Sequence, residues 1–369
     1  MANGTVVVDR NHETEIADVA ARPLPVTGGT GFDWLMAAFG GWLIGGLYLD
    51  GWAHIHVPAL ETFFTPWHAV LYSGYIAGAV ALAETLRRNR ARGASRWDAM
   101  PVGYGLSLAG AFLFFFGGLA DMLWHIVFGI EEGVEGLISP SHIVLALGGS
   151  LMITGPLRAG LAHPAGAARP WRARMPMVVS LTIFLSLLTF FTGYASPYGT
   201  MWVAMTPRTG SGAFLSAGFS GFVIQPALLM GLVLFVLRRQ AFPVGGFTAL
   251  MSVNVALMAI IHDKFLATGP YPLIAGAVLT GLIGDGLLAW LRPSPHRVLA
   301  FRGVAFAIPA LQYLFYFLAA MIWARVTWSV HLWTGAIVIA GAVGWLLSFL
   351  VLAPDVAAPS RFTERGARA

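Results

Sequence analysis

Two segments of the sequence repeat one pattern of acidic, imidazole and helix-starting residues. In each segment an aspartate is followed four residues later by a histidine, then by a glutamate, a Ser/Thr-Pro pair and a second histidine. The six candidate metal ligands are Asp50, His54, His68, Asp121, His125 and His142. Carboxylate and imidazole groups together suit copper, zinc or iron. The repeat therefore predicts metal binding in at least one of the two segments.

The spacing within each segment brings its three candidate ligands together. An aspartate and a histidine four residues apart lie on one face of a helix, one turn apart. Thr65 and Ser139 are suited to cap the next helix, with Pro66 and Pro140 in its first turn. The second histidine then lies on that opening turn and faces the aspartate–histidine pair across a helical hairpin. We expect each hairpin to supply two imidazoles and one carboxylate, with coordination positions left open.

Five further residues are candidates for supporting roles. Glu61 and Glu135 fall between the two histidines of their segments and are candidates to orient the ligands or to add one. His56 has no counterpart in the second segment and is a candidate extra ligand. His262 and Asp263, at the end of a later apolar run, are candidates to line the same cavity. The alternative interpretation is that these are polar residues at helix ends on a membrane surface.

The composition indicates the class of protein that carries these segments. Of the 369 residues, 57% are apolar and only 11% are charged, whereas a soluble domain is about 25% charged. This excludes a soluble globular enzyme and a disordered chain, and it favours an all-α, polytopic transmembrane bundle. With no cysteine in the chain, disulfides, iron–sulfur clusters and thiolate zinc sites are excluded as well. Any metal must be held by nitrogen and oxygen.

Long apolar runs predict about ten membrane spans. They fall at residues 33–55, 66–87, 102–128, 140–158, 175–196, 213–237, 246–267, 272–291, 301–324 and 329–352. This divides the chain into a polar tail over 1–32, a four-helix metal-binding repeat over 33–160, six further spans over 175–352, and a second tail over 353–369.

The distribution of arginine predicts the orientation. Each arginine cluster follows an even-numbered span, and the clusters begin at Arg87, Arg158, Arg238, Arg292 and Arg361. Because arginine is enriched in cytoplasmic loops, both termini are predicted to be cytoplasmic. The net charge of +5 therefore reflects membrane topology and not nucleic-acid binding. Seven of the ten histidines lie near the opposite face, which predicts metal sites on the periplasmic or extracellular side of the inner membrane.

The two hairpin segments resemble the C subunit of the copper membrane monooxygenases, the family of particulate methane and ammonia monooxygenases. That subunit carries an Asp-x3-His-x12-His copper motif ending in Thr-Pro-Ser-His, and later an Asn-x3-His-x13-His motif. The first motif is similar in sequence to two stretches of the second hairpin, Asp121-Met-Leu-Trp-His125 and Ser139-Pro-Ser-His142. By chain order, the first hairpin matches the first motif and the second hairpin matches the second.

The resemblance covers about residues 35–160 and has two departures. The paired histidines are separated here by 13 and 16 residues, and Asp121 stands where the family's second motif has Asn. The resemblance implies copper at one or both triads, or one centre assembled from both hairpins. It also implies oxygen-dependent hydroxylation of a small substrate, with other monooxygenase subunits as partners. Since the chain offers no further redox group, a quinol or a protein would donate the electrons. No catalytic residue is indicated.

Two other functions fit the same residue types. The chain could bind or transport copper without being an enzyme, although it lacks cysteine and its 13 methionines show no clustered pairs. It could also be a zinc-dependent membrane hydrolase, with Glu61 or Glu135 as the general base on a metal-bound water. Iron is a further alternative to copper on ligand type alone.

Overall fold

A computed structural model describes residues 28–57, 63–95, 99–129, 133–164, 169–200, 203, 212–262 and 269–352. Within these ranges the chain forms thirteen α-helices, one short 3-10 helix and no β-strand. The predicted terminal tails lie almost entirely outside them. The first six helices are α1 (Thr30–His56), α2 (Pro66–Ala91), α3 (Gly105–Phe128), α4 (Glu135–Ile138), α5 (Pro140–Ile153) and α6 (Gly155–Leu161).

The remaining helices build the second part of the bundle. They are α7 (Trp171–Phe191), α8 (Pro197–Thr200), α9 (Gly212–Leu237), α10 (Gly246–Ile261), α11 (Tyr271–Leu291), α12 (Val298–Trp323) and α13 (Val330–Val351). The 3-10 helix, Gly193–Ala195, lies between α7 and α8.

Eight of these helices are long and apolar enough to cross a membrane, namely α1, α2, α3, α7, α9, α11, α12 and α13. Helices α5 and α6 form a ninth candidate span that is bent by 43° between them. Helix α10 has 16 residues, fewer than the about 20 that a straight span needs. The predicted multi-pass helical bundle is confirmed, with eight or nine candidate spans among the described residues in place of about ten. The predicted span 140–158 falls on the two helices α5 and α6, and the predicted span 246–267 falls on the short helix α10. The cytoplasmic location of the termini stays a prediction.

The first four spans form two hairpins that share one packing register. In the first hairpin α2 packs on α1, and in the second α5 packs on α3. A Cβ on Gly74 would lie 2.7 Å from the backbone nitrogen of Leu43, and a Cβ on Gly148 would lie 2.6 Å from that of Phe114. Each glycine lies six residues after the second histidine of its segment. The internal repeat therefore extends from the ligand residues to the helix contact that holds them together.

Helix α7 joins the hairpins to the rest of the bundle and is the most buried of the candidate spans. It packs against α1, α6 and α10. The Tyr48 hydroxyl donates a hydrogen bond of 2.8 Å to the carbonyl of Ser186, and the Asn254 amide donates one of 2.8 Å to Thr189. Polar groups inside an apolar bundle are thus satisfied between helices, as transmembrane packing requires.

The bend between α5 and α6 has a local cause. Pro156 has no backbone N–H and cannot continue the hydrogen-bond ladder across the bend. The Ser180 hydroxyl of α7 donates to the Ile153 carbonyl at 2.7 Å and accepts from the Leu157 N–H at 3.2 Å. The Arg158 guanidinium donates to the Leu151 carbonyl at 2.9 Å. These side chains satisfy the backbone groups that the bend leaves unpaired.

A neighbouring helix caps the N-terminus of helix α10. Its N-cap residue, Gly245, offers no side chain for capping. Asp285 of α11 accepts hydrogen bonds from the backbone N–H groups of Phe247 and Thr248 at 3.2 and 2.9 Å. A carboxylate at a helix N-terminus satisfies free donors and complements the helix dipole. This contact fixes the position of α10, whose C-terminal end is followed by His262.

The close contact at Gly74 makes a testable prediction. In Gly74→Ala the new Cβ meets the backbone of Leu43 and must push α2 away from α1. We expect a loss of about 1–3 kcal/mol in unfolding free energy, together with weaker metal binding by Asp50 and His68, which lie on the two separated helices. Gly45→Ala on α1 is the matched control, since nothing lies within 4 Å of a Cβ there. Equal thermal stability of the two variants in detergent would contradict the prediction.

Candidate metal centre

The first ligand cluster forms where α1 ends and α2 begins. Asp50 and His54 lie one turn apart near the end of α1, and His68 lies in the first turn of α2. The Asp50 Oδ2 atom is 3.7 Å from His54 Nε2 and 3.4 Å from His68 Nε2. Asp50 and His68 are buried, whereas the His54 side chain is 31% exposed. The hairpin therefore brings together the three ligands predicted for the first segment.

The second cluster repeats this arrangement between α3 and α5. The Asp121 Oδ1 atom is 3.7 Å from His125 Nε2 and 3.1 Å from His142 Nε2. This cluster is more enclosed than the first, because Asp121 is fully buried and the His125 side chain is only 5% exposed. All six predicted ligands therefore fall into two groups of three.

The separations within each cluster fit a shared metal ion better than direct hydrogen bonds. The ligand atoms of each group lie within 4.8 Å of one another, and the aspartate–histidine distances run from 3.1 to 3.7 Å. Two ligands bonded to one tetrahedral ion at about 2.0–2.2 Å are about 3.3–3.6 Å apart. A charge-assisted hydrogen bond is shorter, at about 2.7–2.9 Å. Either cluster could hold a metal ion.

The residues that cap α2 and α5 also orient the second histidine of each cluster. The Thr65 hydroxyl accepts the His68 backbone N–H at 3.1 Å and lies 3.2 Å from Nδ1 of the same residue. The Ser139 hydroxyl is placed in the same way, 2.9 Å from His142 Nδ1. With the proton on Nδ1, each hydroxyl accepts it and Nε2 presents its lone pair to the cluster. A hydrogen bond of this kind fixes the tautomer of a metal-binding histidine.

The two aspartates differ in their own hydrogen bonds. The Ser141 hydroxyl donates to Asp121 Oδ1 at 2.8 Å. The corresponding residue in the first hairpin is Trp67, and the buried Asp50 Oδ1 atom has no hydrogen-bond partner among the described residues. An unpartnered buried carboxylate oxygen is costly, and a bound cation would offset that cost. The first cluster therefore depends more on a metal ion than the second.

The two clusters are neighbours around one small chamber. The Phe63 ring stacks on His68 with centroids 4.9 Å apart and lies 6.0 Å from the His125 ring. A chamber of about 70 Å³ lies between the hairpins. Asp50, His68, Asp121 and His142 contribute to its wall, and the rest of the wall is mostly aliphatic and aromatic. Ligands of both clusters therefore face one small apolar space.

A second and larger cavity, the outer cavity, has a volume of about 700 Å³ and adjoins both clusters. His54, His125 and His142 form part of its wall, and so do His56 and His262. Helices α1 and α10 supply the last two of these histidines from their C-terminal ends. The cavity connects histidines of both clusters with two that belong to neither.

The structure places the residues predicted to support the ligands in different surroundings. Glu135 is exposed at the start of α4 and belongs to neither cluster nor either cavity wall. Glu61 and Asp263 lie outside the described residues. The His56 ring stacks on Trp52, and its Nδ1 lies 2.9 Å from the Trp52 carbonyl oxygen. His56 and His262 thus line the outer cavity, as expected for His262, without joining a triad.

Comparison with known proteins adds no assignment. No family model, no curated protein and no solved structure matches this chain. The function must therefore be argued from the geometry of the clusters and from the resemblance of their motifs.

Three residues of the centre escaped prediction from the sequence. Ser141 occupies the variable position of the repeated Pro-x-His motif. Because this residue differs between the two hairpins, the sequence does not indicate its hydrogen bond to Asp121. Phe63 lies in the loop between α1 and α2, and the spacing of the ligand residues does not determine the conformation of that loop. Tyr72 lines the small chamber and lies four residues after His68, a helical spacing that could have indicated its position.

The bond from Ser141 to Asp121 makes a prediction about the second cluster alone. Ser141→Ala removes the donor that holds the carboxylate, and we expect metal affinity at the second cluster to fall about 10–100-fold. Affinity at the first cluster should stay unchanged. Metal binding is measured by competition with a chelator, and Ser73→Ala is the control, because the Ser73 hydroxyl donates to the Val70 carbonyl of its own helix and lies in neither cluster. Equal affinity loss at both clusters would contradict this role.

Proposed function

We propose that the chain is a multi-pass membrane copper protein similar to the C subunit of the copper membrane monooxygenases, and that it takes part in oxygen-dependent hydroxylation of a small substrate. The observation that carries the proposal is the pair of Asp-His-His clusters on one chamber. The proposal places the clusters at the outer face of the inner membrane. It also assigns other subunits and a quinol or protein electron donor as partners.

Copper is favoured by the donor set together with the motif. A triad of two imidazoles and one carboxylate suits copper, zinc or iron(II). The amino-acid sequence around both triads resembles a copper motif. The unpartnered Asp50 Oδ1 atom supports the presence of a cation at the first cluster. The close matching of the two hairpins supports the same metal in both.

The residues of the centre have separate tasks in this function. Bound copper would supply one-electron redox chemistry toward oxygen. Asp50 and Asp121 would each offset part of the cation charge, which is costly to bury in an apolar bundle. Thr65 and Ser139 keep the second histidines in position. The small chamber leaves room only for a small molecule.

The geometry also bears on the hydrolase alternative. A zinc hydrolase needs a general base within hydrogen-bond reach of the metal-bound water. Glu135, one of the two glutamates suited to that role, belongs to neither cluster and is exposed. The geometry therefore disfavours Glu135 as the general base, while Glu61 lies outside the described residues. We favour copper chemistry over zinc hydrolysis because both hairpins resemble a copper motif.

The decisive experiment measures metal content and electron paramagnetic resonance on the purified full-length protein. We expect copper in the wild type, and loss of one copper signal in Asp50→Ala and of a different one in Asp121→Ala. Glu84→Gln is the matched control, because Glu84 is a carboxylate of the same hairpin that pairs with Arg87 and Arg88 at the opposite end of α2. Zinc without copper in the wild type would contradict the proposal.

Oxygen consumption separates an enzyme from a copper carrier. With a reductant and either a short alkane or ammonia, we expect consumption that depends on substrate and is abolished in His125→Ala. Copper uptake into cells that follows expression, without any oxygen consumption, would instead support transport.

A further inference from the structure

Of the described residues that line the small chamber, one polar side chain belongs to neither cluster. Asp50, His68, Asp121 and His142 are cluster ligands, and the other described lining residues are apolar except Tyr72. Tyrosine carries a hydroxyl that can donate and accept a hydrogen bond. Among these residues, Tyr72 alone can therefore offer a hydrogen bond from a side chain that is not a metal ligand.

The Tyr72 hydroxyl reaches from α2 to the face of α3 that borders the chamber. A Cβ on Gly118 would lie 3.1 Å from both the hydroxyl oxygen and the Cε1 atom of Tyr72. Phe114, Gly118 and Asp121 follow one another at steps of four and three residues, which places them on one helix face. Because Phe114 and Asp121 both line the chamber, the hydroxyl lies at its wall, between these two side chains.

Neighbouring aromatic rings hold the Tyr72 side chain in this position. Its ring centroid lies 6.1 Å from that of Phe114, 6.3 Å from that of His68 and 5.9 Å from that of Phe63. Tyr72 also follows His68 by one helical turn, so the phenol and the imidazole leave α2 on the same side. The hydroxyl is therefore presented at a defined place beside a ligand of the first cluster.

The Tyr72 hydroxyl differs in its hydrogen bonds from the other tyrosine hydroxyls of the hairpins. Tyr48, Tyr75 and Tyr104 each donate to an oxygen atom of the protein. No described residue forms a hydrogen bond with the Tyr72 hydroxyl. A phenol keeps its proton at neutral pH, so Tyr72 has a hydrogen bond to donate.

The internal repeat shows that the hairpin fold does not itself require this phenol. The residue four positions after the second histidine is Tyr72 in the first hairpin and Ala146 in the second, and both line the chamber. The second hairpin has the same packing register with only a methyl group at that position. The hydroxyl is therefore a property of the chamber and not of the repeated unit.

We propose that Tyr72 donates a hydrogen bond to the small molecule that binds in the chamber beside an ion held by either cluster. The inference rests on the proposed function, because it takes the clusters to hold an ion and the chamber to admit a small molecule. The hydroxyl selects a small molecule or anion with a hydrogen-bond-accepting atom, such as dioxygen or azide. A ligand without such an atom, such as a short alkane, gains nothing from it.

The test measures azide binding to the full-length protein in detergent with Co(II) in both clusters. Co(II) accepts nitrogen and oxygen ligands, and its visible absorption reports a bound azide. The wild type should bind azide, and Tyr72→Phe should bind it about 10–100-fold more weakly, because a hydrogen bond to a charged ligand is lost. Tyr75→Phe is the matched control, since the Tyr75 hydroxyl donates to the Ala111 carbonyl of α3. Equal azide affinity in the wild type and Tyr72→Phe, or no azide binding by the wild type, would overturn the proposal.

A second variant moves the hydroxyl without removing it. In Gly118→Ala the new Cβ would come within 3.1 Å of the Tyr72 hydroxyl oxygen, so the ring must shift and azide binding should weaken. Co(II) affinity should be the same in the wild type and Tyr72→Phe, because Tyr72 is not a ligand. If Tyr72→Phe lost Co(II) in the same proportion as azide, the hydroxyl would serve the cluster and the proposal would be overturned.

Loading with cobalt separates this test from that of the proposed function. Zinc without copper in the purified wild type would contradict the proposed function, whereas weaker azide binding by cobalt-loaded Tyr72→Phe would still support the hydrogen bond. Copper in the wild type together with equal azide affinities would support the function and overturn the role of Tyr72.

Discussion

The cost of placing carboxylates and imidazoles inside an apolar bundle is the constraint on which the centre depends. A charged group far from water is unstable unless a charge or hydrogen bonds compensate it. The chain places Asp50 and Asp121 one turn before a histidine and brings a second histidine across the hairpin. This arrangement limits the cost, because each carboxylate always has two imidazoles beside it. It also creates a cation site, since the same geometry leaves a gap between the three ligand atoms.

The contacts between the hairpin helices follow from that constraint. Ligand atoms must lie within a few ångströms across two helices, so the helix axes must approach closely. Gly74 and Gly148 allow this approach at the same position relative to the second histidine in both hairpins. Thr65 and Ser139 then combine the cap of one helix with the orientation of its histidine. The ligand positions and the backbone packing are therefore one repeated unit.

The sequence predicted the multi-pass bundle and the residues of both triads, because hydropathy and residue spacing are local features. Hydropathy marks a span within about 20 residues, and an Asp-x3-His spacing determines a shared helix face. It did not predict the bend after Ile153, where compensation comes from Ser180 of another helix. Nor did it predict that Asp285 of the next span caps the N-terminus of α10. Such contacts depend on which helices become neighbours, and no local spacing specifies that.

The difference between the two clusters is informative because so much else is repeated. Asp121 receives a hydrogen bond from Ser141 and sits in the more enclosed cluster, whereas Asp50 has an unpartnered oxygen and a more exposed histidine beside it. A carboxylate that accepts a hydrogen bond from the protein keeps its position without an ion. A carboxylate with an unpartnered oxygen gains more from binding a cation, and the more exposed histidine beside it makes the cluster more accessible. The hairpins therefore have matching ligands but differ in how far the protein itself satisfies each carboxylate, so a bound cation would stabilise the first cluster more than the second.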